Sequence, residues 1–216
     1  MLNKNESIIA DRKRTDRYFE PIAKRLPPNP NSLSVISFIL AMIYSFITWF
    51  SGINNFSPGL FFAFFFLLFS SALDAVDGTV ARLRKLESKW GDYLDHALDR
   101  IADTSFIIAI IFGGYVRWEI GLFSFAGIFL TSDFGALAKA AGLPREYGGI
   151  MGRTIRLVVL MAATISNAIC PDKIGMNGVG FTFLGWAMVI FAIGGIYTAY
   201  QRFHRTRNAL IKSESR

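Results

Sequence analysis

Residues 59–70 read Gly-Leu-Phe-Phe-Ala-Phe-Phe-Phe-Leu-Leu-Phe-Ser, twelve positions with six phenylalanines and no charge. A helix on the surface of a soluble domain keeps one polar face, and this run offers none at any angle around its axis. Its surroundings must be apolar on every side. The composition agrees: 52% of the 216 residues are hydrophobic, 21 of them Phe, and the mean hydropathy is +0.38, which is too apolar for an ordinary water-facing fold. Lipid is the natural solvent.

Working outward from that run, six apolar stretches reach the roughly 20 residues needed to cross a hydrocarbon core as a helix. They lie near residues 33–51, 57–77, 97–116, 119–138, 154–170 and 179–200. Asn31 and Ser32 after Pro30 can cap the first, Ser57-Pro58 opens the second, and Cys170-Pro171 with Gly175 to Gly178 closes the fifth. Lys and Arg number 7 before the first stretch, 4 from Arg82 to Lys89, 4 from Lys139 to Arg156 and 5 after the sixth. The alternate loops hold only Arg117 and Lys173, and Arg100 lies within a stretch. By the positive-inside rule this predicts an all-α integral membrane protein of six transmembrane helices, both termini and the two basic loops cytoplasmic, in the cell membrane.

The net charge of +7 does not point to nucleic acid, because the cations sit in short clusters between apolar runs instead of along one polar surface. No compact apolar core follows the basic N-terminal residues, so a cleavable signal peptide is not expected. The lone Cys170 reads as a small packed hydrophobe. Residues 1–30 form a cytoplasmic juxtamembrane segment, in which Tyr18, Phe19, Ile22 and Leu26 share one face of an amphipathic helix lying along the interface. Residues 31–204 form one membrane domain, and 205–216 a basic tail.

Charges at membrane depth are costly unless paired or solvated. Asp74 and Asp77 stand three apart at the end of the second stretch, and Asp95 and Asp99 four apart where the third begins. These spacings put each pair on one helix face, and the short turn from Leu83 to Trp90 lets the two faces meet. Four converging carboxylates repel one another unless a cation lies among them. An all-oxygen donor set favours Mg²⁺ or Mn²⁺, and this many ligands suits two ions. Gly78, Ala81 and Gly91 allow close approach, and the planar fork of Arg82 grips phosphate. Ordinary helix-end salt bridges to Arg82, Arg84 and Lys85 would explain any one of the acids, but not four on a strict spacing.

The pattern Asp74-x-x-Asp77-Gly78-x-x-Ala81-Arg82, eight residues, then Gly91-x-x-x-Asp95-x-x-x-Asp99 resembles the signature of the CDP-alcohol phosphotransferases, with every position filled. The resemblance implies that Asp74, Asp77, Asp95 and Asp99 hold the metals, with Asp99 also the base that deprotonates the acceptor hydroxyl. It implies a nucleotide site of Asn31, Ser34, Asp77, Gly78, Arg82 and Gly91, a lipid donor such as CDP-diacylglycerol or CDP-archaeol, and a homodimer. Gly148-Gly149-x-x-x-Arg153-x-x-Arg156 and Tyr197-Thr198-x-x-Gln201-Arg202 are similar to stretches of phosphatidylinositol-phosphate synthases. That similarity makes Ser132, Arg153, Arg156 and Arg202 the site for a phosphorylated polyol, inositol phosphate, with glycerol 3-phosphate the alternative acceptor. The lysine that those enzymes often carry three residues after the serine is Gly135 here.

The bland account of these arginines, to which Arg145 belongs, is topology and headgroup contact. Asp103 is expected to pair with Arg100 or support the metals, and Asp133 to meet a cation of another span. His96 is expected to face away from Asp95, and Asp92 lies outside the signature. A metal-ion transporter is the rival class, but the acids cluster at one end and no acidic column continues across.

Overall fold

The computed structural model describes residues 29–144, 146–172, 174–176 and 179–214. The expected interfacial segment 18–26 and Arg145 lie outside them. Six helices make up nearly all of the described chain: α1 (Pro30–Ile53), α2 (Ser57–Leu83), α3 (Lys89–Phe112), α4 (Trp118–Ala140), α5 (Arg153–Ile169) and α6 (Phe183–Glu214). Four of them, α1, α2, α4 and α6, are long and apolar enough to cross a membrane, which makes this a multi-pass membrane protein. α3 and α5 fall short by the same measure. α3 carries Asp92, Asp95, Asp99, Arg100 and Asp103, and α5 has 17 residues with two arginines.

The phenylalanine run shows how sequence becomes packing. Within α2, Leu60, Ala63 and Leu67 are fully buried, while Phe61, Phe62 and Phe69 are about half exposed. The small and aliphatic positions touch protein, and the aromatic ones face outward where lipid would lie. α1 packs along α2 and α3, α2 meets α5, and α4 lies against α6. Buried hydroxyls tie these contacts. Ser37 Oγ donates to the Ser70 carbonyl and Ser70 Oγ to the Ser37 carbonyl, each at 2.9 Å. Tyr44, fully buried, stacks edge-on against Phe106 and meets Thr164 Oγ1 at 3.1 Å, so α1, α3 and α5 share one core residue.

Three expectations change. α1 begins at Pro30, with Asn29 as the cap whose side chain accepts from Asn31 N, because proline lacks the N–H that the first turn leaves unpaired. Residues 179–181 do not start the last helix but form a short strand, β2 (Val179–Phe181), paired antiparallel with β1 (Ile174–Met176). α6 starts after it, where Thr182 Oγ1 accepts from Gly185 N at 3.1 Å, and continues through the basic residues to Glu214. Cys170, placed at the C-cap of α5, is exposed and not packed.

The α4–α6 contact is set by glycine. A Cβ on Gly127 would lie 3.0 Å from Ile196 N and 3.1 Å from Ala192 O, and one on Gly195 would meet the Gly127 backbone. Ser124 Oγ and Thr131 Oγ1 use the closeness to donate to the carbonyls of Met188 at 2.6 Å and Gly195 at 2.8 Å, the small-residue packing that membrane helices favour. Gly127→Val therefore lowers stability by about 1–3 kcal/mol through overpacking, seen as a reduced melting temperature in detergent. A melting temperature unchanged from wild type would refute the close crossing.

Candidate active site

Because successive helices alternate in direction, the start of α1, the end of α2, the start of α3, the end of α4, the start of α5 and the distal part of α6 share one end of the bundle. All the residues singled out for chemistry fall there. Carboxylate oxygens of Asp74, Asp77 and Asp95 lie within 4.8 Å of one another. Three acids from two helices, supplying oxygen alone, match what a hard divalent cation requires. Asp77 is buried, and its Oδ2 accepts from Ser34 Oγ at 2.6 Å. That bond orients the carboxylate from α1.

Beside these acids opens a cavity of about 340 Å³, lined among others by Asn31, Ser34, Asp77, Gly78, Arg82 and Gly91. The six residues expected to hold nucleotide thus come from three helices to one hollow. Ser88 begins α3 by accepting from Gly91 N at 3.0 Å, and a Cβ on Gly91 would lie 3.1 Å from Asn31 Oδ1, so the glycine keeps α3 close to α1. Arg82 Nη2 donates to Thr79 Oγ1 at 3.3 Å, one turn back on its own helix.

Residues that sequence reasoning passed over also line the hollow: Asp92, His96 and Tyr147. His96 does not face away. Its Nδ1 lies 3.5 Å from Asp95 Oδ2 and its Nε2 3.3 Å from Asp92 Oδ1, because a long ring can turn along the helix surface where its Cα position alone suggests separation. Asp92 also holds Lys139 of α4 at 2.9 Å. Tyr147 comes from the α4–α5 loop, and only the neighbouring glycine pair hinted at that loop.

The arginines expected to meet the acceptor are not among the residues lining this cavity. Arg153 at the start of α5 reaches into the acids, donating to Asp74 Oδ1 and Oδ2 at 3.0 and 2.9 Å and pairing with Asp99. Arg156, one turn later and buried, donates to Asp103 Oδ2 at 2.6 Å and to the Met151 carbonyl at 3.1 Å. Asp103 also lies 3.6 Å from Arg100. Arg202, buried on α6, donates to the carbonyls of Gly148, Thr131 and Tyr147 at 2.9, 2.6 and 3.2 Å. Ser132 is buried beside that contact. A Cβ on Gly135 would come within 2.9 Å of Arg202 Nη1 and 2.8 Å of the Glu146 carbonyl. A lysine there would displace the guanidinium or the loop, so the glycine and Arg202 fit one space.

Residues 28–197 match the family model for CDP-alcohol phosphatidyltransferases. The chain belongs to this family. It is a transferase of phospholipid synthesis, as the aspartate signature implied. It is 31% identical over 173 residues, 80% of its own length and 84% of the relative's, to the archaetidylinositol phosphate synthase of Pyrococcus horikoshii. It is 27% identical to that of Methanothermobacter thermautotrophicus, over 94% of this chain and 92% of the other. In fold it resembles the phosphatidylinositol phosphate synthase of Mycobacterium tuberculosis with CDP-DAG bound, at a TM-score of 0.69 and 22% identity, covering 88% and 94% of the two chains. The same enzyme in complex with manganese and citrate gives a TM-score of 0.67 at 20% identity, covering 88% and 86%.

The bond by which Ser34 orients Asp77, a candidate metal ligand, is directly testable. Ser34→Ala should weaken Mn²⁺ binding by about 10–100-fold in an electron paramagnetic resonance titration, with the fold intact. Unchanged Mn²⁺ affinity would remove Asp77 from the metal set.

Proposed function

We propose that this phosphatidyltransferase moves a phosphatidyl-type group from a CDP-lipid, CDP-diacylglycerol or CDP-archaeol, to a hydroxyl of inositol phosphate, releasing CMP. The observation that carries the reading is the meeting of Arg153 with Asp74 and Asp99. A cationic phosphate ligand then stands against the acids that serve the donor, which suits an acceptor that is itself phosphorylated. The inositol phosphate synthases among the relatives support the same choice.

In this reading Asp74, Asp77, Asp95 and Asp99 hold two divalent ions, Mg²⁺ or Mn²⁺, which when bound neutralise charge on the donor pyrophosphate. Asn31, Ser34, Gly78, Arg82 and Gly91 hold the cytidine and its phosphates, with Asp77 shared between nucleotide and metal. Arg153, together with Arg202 and Ser132, orients the acceptor phosphate. Asp99 takes the proton from the acceptor hydroxyl as its oxygen bonds to the lipid-side phosphorus and the bond to the CMP oxygen breaks. All six helices cross the membrane with the site on the cytoplasmic side. α3, at roughly 36 Å for its 24 residues, spans by turning its acids inward.

Purified protein supplied with CDP-lipid and Mn²⁺ should release CMP with inositol phosphate at least about tenfold faster than with glycerol 3-phosphate, serine or inositol. Preference for glycerol 3-phosphate would overturn the acceptor. Asp99→Asn should lose about 10²–10⁴-fold in turnover while still binding the CDP donor, and wild-type turnover in that variant would sink the base.

A further inference from the structure

Arg156 stands in the motif expected to grip acceptor phosphate, yet its guanidinium is spent elsewhere. It is buried at 4% exposure, and its partner Asp103 at 7%. Asp103 is one turn beyond Asp99 on α3, and Arg156 one turn beyond Arg153 on α5, so the pairs Asp99–Arg153 and Asp103–Arg156 form two successive rungs between the same helices. Backbone packing does not do this. α5 lies mainly against α2 and α6, and α3 against α1 and α4. Between α3 and α5 the side chains Asp103, Phe106 and Ile107 face Arg156, Leu157 and Leu160 around a void of about 10 Å³ that Ile128 of α4 and Phe191 of α6 close off.

We propose that Asp103 and Arg156 are positioning residues. They bind no substrate but set the reach and register of α5 against α3, and Arg156 also anchors the loop that enters α5 through the Met151 carbonyl. The register they set delivers Arg153 to Asp74 and Asp99. The geometry favours this over direct phosphate contact. To turn to a ligand, the buried guanidinium would have to give up its 2.6 Å contact and leave the buried Asp103 with Arg100 alone, at 3.6 Å. The inference rests on Arg153 serving the acceptor, as proposed above.

Removing one partner of a buried pair strands the other, so Asp103→Asn and Arg156→Met can both fold poorly. The double variant Asp103→Leu with Arg156→Met removes both charges of the 2.6 Å pair at similar volume, leaves only the one-third-exposed Arg100 without this carboxylate, and keeps the test open. In Mn²⁺ with CDP-lipid, the double variant should raise the acceptor KM on the order of tenfold to a hundredfold, with Mn²⁺ and CDP-donor affinities within about twofold of wild type. A wild-type acceptor KM in the double variant would reduce the pair to a fold element. A lowered acceptor KM in Asp103→Asn, which frees Arg156, would make Arg156 a direct phosphate ligand and overturn the proposal. A second readout needs no acceptor. Spin labels at Ile101→Cys on α3 and Val158→Cys on α5, both positions exposed, in a Cys170→Ser background, should give a broader distance distribution once the pair is removed. An unchanged distribution counts against positioning. An error in the choice of acceptor appears earlier and separately, as absence of CMP release from the wild-type enzyme with inositol phosphate.

Discussion

A carboxylate held among apolar helices is tolerable only against a cation, and that constraint organises this end of the bundle. Asp74, Asp77, Asp95, Asp99 and Asp103 all lie on α2 and α3. The side chains that answer them come largely from other helices: Ser34 from α1, Arg153 and Arg156 from α5. These contacts tie the starts of α1 and α5 to the acids of α2 and α3. The order of charges between α3 and α5, with acid and guanidinium facing at two levels, fixes rotation and depth together, which a purely apolar contact between smooth helix faces would not.

The site divides into an open half and a fastened half. Around α1, α2 and α3 the residues leave a hollow in which Gly78, Gly91 and Ser88 keep side-chain volume low and Asp77 sits at the wall. Around α4, α5 and α6 the loop 146–152 is tied on several sides. Arg202 takes the carbonyls of Tyr147 and Gly148, Thr198 Oγ1 accepts from Met151 N at 3.0 Å, and Arg156 takes the Met151 carbonyl. Gly149 adopts φ +117° beside Thr198, a conformation that a residue with a side chain seldom takes. Tyr147, from this fastened loop, also lines the open hollow, so the two halves share a wall.

The sequence made the helices readable because each apolar run is long and bounded, and it made the acids readable because helical spacing converts three and four residues into one face. Residues far apart in the chain were harder. Nothing in the spacing of Arg153, 79 positions from Asp74, says that it enters the acid cluster, whereas Arg156, its neighbour on the same motif, turns to Asp103. Both look alike in sequence, and only the distance between α3 and α5 separates them. His96 meets Asp95 through the reach of its ring, which Cα positions along a helix do not convey. The hairpin at 174–181 was hidden in a glycine-containing stretch that reads equally well as a turn.

The two helices that fall short of the length and apolarity of a membrane span, α3 and α5, are the two whose charges face each other, and this is more than coincidence of function. Hydropathy treats a helix as if each residue met lipid, but Asp99, Asp103 and Arg156 are each under a tenth exposed and meet ion-pair partners on the facing helix instead. Paired in this way they present to the outside Ile101, Ile108, Ile155 and Val158, all largely exposed and apolar. Beyond the exposed Lys89 and Asp92 at its start, α3 thus turns apolar side chains outward, as α5 does, and much of the polarity of the two helices is internal. In the six-span arrangement proposed above, a helix that carries half of a buried ion pair is stable in the bilayer only once its partner is beside it, so α3 and α5 depend on each other more than the phenylalanine-rich α2 depends on either.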